Sequence, residues 1–249
     1  MIRTTLRGGV LKRMLGAAVL ALASGGAAQA AVITFEGNAG PAYNQSTIQQ
    51  AGYSITFYDP GAAAPPGTVQ IGRFINGNNP ASCGAGNICP TNDTSTYLDL
   101  FNSGFIDILP NASGATFTFS GLDASFIAMT GVNYPLTPAA VQVIGFTENG
   151  DQSAIQFNLP RTTSFQTYTL ADAVGDANLG QLNFTEIAII AFRCDAQGQC
   201  SGLDNGNGQV GLDNIRLSDV PTNNVPEPAT ASLLAFGLLG LGMRARRRS

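Results

Sequence analysis

Thr116-Phe117-Thr118-Phe119 alternates hydroxyl and aromatic side chains with a period of two. Such a stretch separates a greasy face from a wet one only as an extended strand, where successive side chains point to opposite sides. The same rhythm recurs outward in both directions. It predicts strands at 32–36, 53–58, 69–74, 97–101, 105–109, 115–119, 125–129, 141–146, 154–158, 165–170, 186–192 and 212–217. Turn formers punctuate them: Asp59-Pro60-Gly61, Asn111-Ala112-Ser113-Gly114 and Asn149-Gly150-Asp151. Many short strands with such turns argue for an all-β sandwich or barrel. Helical signal in the body is confined to 171–177, and two long loops are expected at 76–95 and 194–211.

Each long loop carries a C-x5-C pair, Cys83/Cys89 in the first and Cys194/Cys200 in the second. Four cysteines allow three pairings. Disulfides are the default in an exported chain, and the two local ones are favoured. A zinc site built from all four thiolates would call for shorter spacings.

Charge is segregated along the chain. Between Ala31 and Glu227 the only basic residues are Arg73, Arg161, Arg193 and Arg216, against all 16 acids, a formal −12. A lysine-free body this acidic repels nucleic-acid phosphates and anionic membranes, so no nucleic-acid partner is expected. At roughly 190 residues the body is long enough for one domain with its own core.

The two ends read as addresses. Arg3, Arg7, Lys12 and Arg13 precede an apolar run over 14–23, and Ala28-Gln29-Ala30 is a small-x-small cleavage site. Residues 1–30 are therefore expected to be a signal peptide, removed by signal peptidase so that the mature chain begins at Ala31. At the other end, Pro226-Glu227-Pro228 should form an extended, accessible tether over 221–228, because proline fixes φ and removes N–H donors. Residues 229–243 carry no charge, and Arg244, Arg246, Arg247 and Arg248 follow. As a helix that run is about 22 Å long, short for a span, and snorkelling arginines would cover the difference. The arginines are expected on the cytoplasmic side of the inner membrane, with the 31–220 body outside.

Val225-Pro226-Glu227-Pro228, the short apolar segment and the arginine cluster resemble the PEP-CTERM sorting signal. The resemblance implies recognition by exosortase, a membrane protease/transpeptidase of exopolysaccharide-producing Gram-negative bacteria, with cutting near Pro-Glu-Pro. In the body, Val141-Gln142-Val143-Ile144-Gly145-Phe146, Phe165-Gln166-Thr167-Tyr168-Thr169-Leu170 and Leu212-Asp213-Asn214-Ile215-Arg216-Leu217 follow in an order similar to jelly-roll carbohydrate-binding modules. That resemblance implies a galactose-binding-like β-sandwich. It also implies neighbouring first and last strands, so that Glu36 and Asp213, with carbonyls and Asn214, could hold a structural Ca²⁺. No other cofactor is expected. Asp195, Asp204, Asn205 and Asn207 crowd the second cysteine loop, but Gly206 and Gly208 break the calcium-loop pattern and favour an Asn-Gly turn.

The sequence contains no histidine, which removes Ser-His-Asp, Cys-His and His-based zinc machinery. It also contains no tryptophan, so a sugar platform would fall to Tyr43, Tyr53, Tyr58, Tyr97, Tyr134 or Tyr168. The expectation is a non-enzymatic, exported surface or matrix protein, held transiently at the inner membrane and then sorted, with weak contact to extracellular polysaccharide. Two alternatives stay open. One is a glycan hydrolase or lyase using a carboxylate pair, and the other is a purely structural, self-associating surface protein.

Overall fold

A computed structural model describes residues 30–59, 65–79, 82–101, 103–202 and 209–219. Residues 1–29, the proline tether, the apolar run, the arginine cluster and the 204–207 acids and amides lie outside the described residues. In chain order the strands are β1 (Ala30–Ile33), β2 (Gly40–Tyr43), β3 (Thr47–Gln50), β4 (Tyr53–Tyr58), β5 (Gln70–Asn76), β6 (Asn87–Ile88), β7 (Thr96–Leu100) and β8 (Phe105–Pro110). They continue with β9 (Phe117–Met129), β10 (Ala139–Thr147), β11 (Gln152–Leu159), β12 (Gln166–Thr169), β13 (Val174–Gly175), β14 (Phe184–Cys194), β15 (Cys200–Gly202) and β16 (Gln209–Asp219).

Antiparallel ladders arrange these strands in two layers. One runs β3-β4-β8-β14-β10-β11-β13. The other runs β12-β9-β16-β7-β5-β2. Strand β1 shares one edge of β16 with β7, and β6 shares one edge of β9 with β12. A pair at Phe117 and Phe184 links the layers. The layers face each other through aromatics: Phe119 meets Phe157 at 6.3 Å, Phe57 meets Phe74 at 5.9 Å and Tyr53 meets Phe117 at 5.2 Å. The fold is an all-β sandwich.

Period-two alternation survives intact in β4, where Tyr53, Ile55 and Phe57 are buried and the residues between them half-exposed. Other expectations are corrected. The strands expected at 115–119 and 125–129 merge into one 13-residue strand, β9, which begins at Phe117. The chain continues through Gly121 because a Cβ there would overlap the Tyr168 carbonyl of β12, so glycine permits the close pairing. The helix expected at 171–177 is a single 3₁₀ turn, Leu170–Asp172, followed by β13. The Asp172 carboxylate accepts from the Thr169 backbone N–H at 2.9 Å and its hydroxyl at 2.8 Å, closing the turn locally. Neither long loop is structureless: 76–95 contains β6, and 194–211 opens with the β14–β15 hairpin.

Both disulfides are local. Cys83 bonds Cys89, and Cys194 bonds Cys200 across paired positions of β14 and β15. The first bond belongs to a second, smaller core. Cys83, Cys89, Ile75, Tyr97 and Ile127 pack together on the outer face of the β9–β16–β7 layer, with Phe165 against them. Gly211 makes this possible, since a Cβ there would come within 2.8 Å of the Phe165 ring.

Register also gives the sandwich two distinct poles. Ala30 pairs with Ser218, and Asp219 pairs with Phe117, so both ends of the described domain lie at one pole. Met129, paired with Asn87, marks the opposite pole, about 40 Å away along β9 at ~3.3 Å per residue.

Loop closure alone is worth about 2 kcal/mol for each short disulfide loop. Replacing Cys83 and Cys89 together by alanine should cost more than replacing Cys194 and Cys200, because it also dismantles a packed cluster. Urea unfolding of the two double variants checks this ordering.

Candidate functional site

Three polar arrangements stand out, two of them on the outer face of the layer containing β16. Asp99 is fully buried on β7, where the 82–95 loop covers what would otherwise be a solvent-facing position. Arg73 on β5 lies directly across from it and donates Nε to Asp99 Oδ2 at 2.9 Å. The same guanidinium donates to the Cys83 carbonyl and to Gln209 Oε1, the latter at 3.2 Å, and lies over the Phe101 ring. Burial pushes the Asp99 carboxyl up to about 7 against the pull of Arg73. Burial beside Asp99 and Asp93 also pushes the Tyr97 phenol well above its usual range.

The second arrangement contains Glu36 and Asp213, 177 positions apart in sequence, which the fold brings to consecutive residues of one segment. Ser95 Oγ donates to Asp213 Oδ2 at 2.7 Å, and the Thr96 N–H donates to Glu36 Oε1 at 2.8 Å. Asn214 donates to Asp213 at 3.2 Å and to Asp123 at 2.9 Å, while Arg216 pairs with Asp123 at 2.5 Å. Asn214 has a left-handed φ of 45°, within the irregular register between Asp213 and Arg216. Asp213 Oδ1 is buried with no hydrogen-bond partner. Burial pushes this carboxyl up to about 7, and the nearby Asp93 and Asp123 add to the shift. An orphaned carboxylate oxygen in this setting calls for a proton or a hard cation. The donors are all oxygen, as Ca²⁺ requires. Among the described residues, however, no three His, Cys, Asp or Glu side chains converge on one point, so a cation would draw further oxygens from Ser95 or backbone carbonyls.

The third arrangement is an open groove of about 610 Å³ at the pole opposite the chain ends. Its walls include Ile88 on β6, Met129, Val132, Tyr134, Arg161 and the 162–164 hydroxyls. Ile88 and Val132 are exposed aliphatics, and Leu136 nearby is 75% exposed. Hydrogen bonds tie the walls together. Thr130 donates its N–H and hydroxyl to the Gly86 carbonyl, at 2.7 and 3.0 Å. The Arg161 N–H donates to the Leu136 carbonyl at 3.1 Å, and the Met129 N–H donates to the Tyr134 hydroxyl at 3.1 Å. The Asn92 side chain clamps Phe165 by donating to its carbonyl at 2.9 Å and accepting from its N–H at 2.7 Å.

On the outer face of the other layer, Tyr58 stacks on Phe105 at 5.3 Å. Burial and Glu186 together push Asp107 up to about 6. Of the remaining tyrosines, Tyr53, Tyr97, Tyr134 and Tyr168 are buried, which withdraws them from a sugar platform. Sequence patterning had no means of finding the groove, whose walls come from three separated segments.

The terminal match is to the PEP-CTERM protein-sorting motif, over residues 224–248. The chain carries a PEP-CTERM sorting signal. The PEP-CTERM match spans Val225, Pro226, Glu227, Pro228, Arg244, Arg246, Arg247 and Arg248, and it starts beyond β16, which ends at Asp219. No curated protein matches the chain. Among solved structures, the chain is similar to a DUF4465 family protein from Bacteroides caccae ATCC 43185, at 12% identity and TM-score 0.46, over 76% of this chain and 98% of that one. It is also similar to TmCBM61 in complex with beta-1,4-galactotriose, at 9% identity and TM-score 0.32, over 66% and 86%. A third is the agarase AgWH50C, at 12% identity and TM-score 0.30, over 67% and 24%.

Removing one partner of a buried ion pair strands the other charge, at about 3–5 kcal/mol. Arg73→Ala should therefore cost far more stability than Arg216→Ala, whose more accessible pair is worth about 1 kcal/mol. Denaturant unfolding of the two variants checks this, with Arg73→Lys recovering part of the loss.

Proposed function

We propose that this is an exported, non-enzymatic surface or matrix protein of an exopolysaccharide-producing Gram-negative bacterium. Signal peptidase releases the N-terminus, the C-terminal apolar helix holds the chain briefly at the inner membrane, and exosortase then processes the Pro-Glu-Pro junction. The observation that carries this reading is the sorting motif at 224–248, following directly on a folded β domain. The body acts as a jelly-roll module of galactose-binding-like type that makes weak contact with polysaccharide. Both ends of the described domain lie at the pole opposite the groove, which supports this use. The absence of histidine from the sequence supports a binding role over general acid–base chemistry.

A structural Ca²⁺ held by Glu36 and Asp213 accompanies this reading, supported by the unpartnered buried Oδ1 of Asp213. Bound there, the cation would replace a proton on that carboxylate and fasten the first residues after β1 to β16. A second reading, a glycan hydrolase or lyase, draws on the Asp107–Glu186 neighbourhood, where one carboxyl is raised beside another.

Deleting 225–249 should abolish membrane retention and change the protein's final location. Intact mass of the full-length product from the cell surface should show loss of both the leader and the arginine tail. An unchanged destination after deletion removes the sorting reading. Calcium added to chelator-treated protein should raise its melting temperature, and Asp213→Asn should erase that response. New reducing ends released from the host's own polysaccharide, and lost in Asp107→Asn, would favour the enzyme instead.

A further inference from the structure

The four arginines of the body divide into two kinds. Arg73 and Arg216 are committed to Asp99 and Asp123. Arg161 and Arg193 make no ion pair among the described residues, and both belong to the pole carrying the groove. Arg193 pairs with Ala139 near the end of β14, and the Arg161 backbone bonds Leu136, three residues before Ala139. In a body with a formal charge of −12, this pole holds the positive charge that is uncommitted among the described residues.

We propose that the groove binds a carboxylate-bearing polysaccharide, with the Arg161 guanidinium taking the carboxylate. This rests on the reading of the protein as an exported polysaccharide-contacting module. Three features of the groove match three features of such a polymer. A guanidinium presents a planar fork that fits the two oxygens of a carboxylate. Thr162, Thr163 and Ser164 offer hydroxyls that both donate and accept, as sugar hydroxyls require. Ile88 and Val132 supply aliphatic walls for the C–H faces of sugar rings. Hydrogen bonds donated by Asn92 and Thr130, and the one Tyr134 accepts from the Met129 N–H, hold these walls in place before a ligand arrives, which reduces the ordering cost of binding.

The surrounding charge makes the site selective. A domain this acidic repels a polyanion over most of its surface, and Arg161 and Arg193 make no ion pair among the described residues, so charge density alone does not recruit ligand. Binding requires the carboxylate in register with Arg161 and the sugar against the groove wall. Neither Asp99 nor Asp213 lines the groove, so neither acid contacts the ligand.

Affinity electrophoresis of the folded, disulfide-bonded protein tests this, with chelator present throughout. The probes are polygalacturonate, its methyl ester and dextran sulfate. Polygalacturonate should retard the protein, the ester should not, and dextran sulfate should do so no better than weakly. Arg161→Gln should weaken retardation at least tenfold with an unchanged melting temperature, since the side chain is exposed. Arg161→Lys should restore some of it. Equal retardation by the ester, equal or stronger retardation by dextran sulfate, no retardation by polygalacturonate, or an undiminished Arg161→Gln variant each overturns the proposal. If Arg161→Gln is still sorted and still retained on the host's own polysaccharide, the groove assignment falls while the surface-protein reading stands. If deleting 225–249 alters nothing but Arg161→Gln abolishes polygalacturonate binding, the groove stands and the sorting reading falls.

Discussion

Asp99 has no solvent exposure, and a lone carboxylate there would be intolerable without a partner. Arg73 supplies one from the neighbouring strand and donates from Nη2 to the Cys83 carbonyl and Gln209. A single guanidinium thereby joins β5, β7, the first cysteine loop and the start of β16. Asn87 reinforces the junction, donating to Cys83 O at 2.7 Å and Gln209 Oε1 at 3.2 Å. The loop held this way shields Tyr97 and Ile127 and carries Ile88, one wall of the groove. The candidate binding surface therefore rests on an ion pair that never meets a ligand. The pair ties the cysteine loop to β5, β7 and β16, and one fixed arrangement of that loop is what a preformed groove requires.

Strand β16 organises the rest. It pairs with β9 along one edge and with β7 and β1 along the other, so the last of the described strands completes the layer. Its central residues, Leu212, Ile215 and Leu217, enter the main core, while Asp213 faces the polar cluster on the outer side. The strand thus carries both core packing and the acid that asks for a counter-ion. Both ends of the described domain therefore lie at one pole and the groove at the other.

Much of this architecture is legible in the sequence where a strand has one buried and one open face. Tyr53-Ser54-Ile55-Thr56-Phe57-Tyr58 is such a case, and its strand has the expected bounds. Legibility fails where tertiary context covers the second face. Tyr97-Leu98-Asp99-Leu100 is wholly buried because the cysteine loop lies over it, so alternation there conceals the deepest acid in the domain. It also fails where short polar strands are recruited as partners: Gly40-Pro41-Ala42-Tyr43 and Thr47-Ile48-Gln49-Gln50 carry little apolar patterning and owe their extended form to β5 and β4. Of the candidate sites, Glu36 and Asp213 came into view through fold analogy, whereas Asp93 and Ser95, which complete their surroundings, gave no local signal. Arg161 reads as an ordinary loop cation until the fold sets it beside Ile88 and Val132.

The antiparallel ladder between β9 and β16 also has a mechanical consequence. Pull exerted at the groove and resisted at Asp219 would run lengthwise along these two strands. Their inter-strand hydrogen bonds lie across that direction, so they would bear the tension collectively in shear instead of breaking singly, as they do when a hairpin is peeled open. A module tethered at one tip and gripping a polymer at the other would in this way be loaded along its strongest axis.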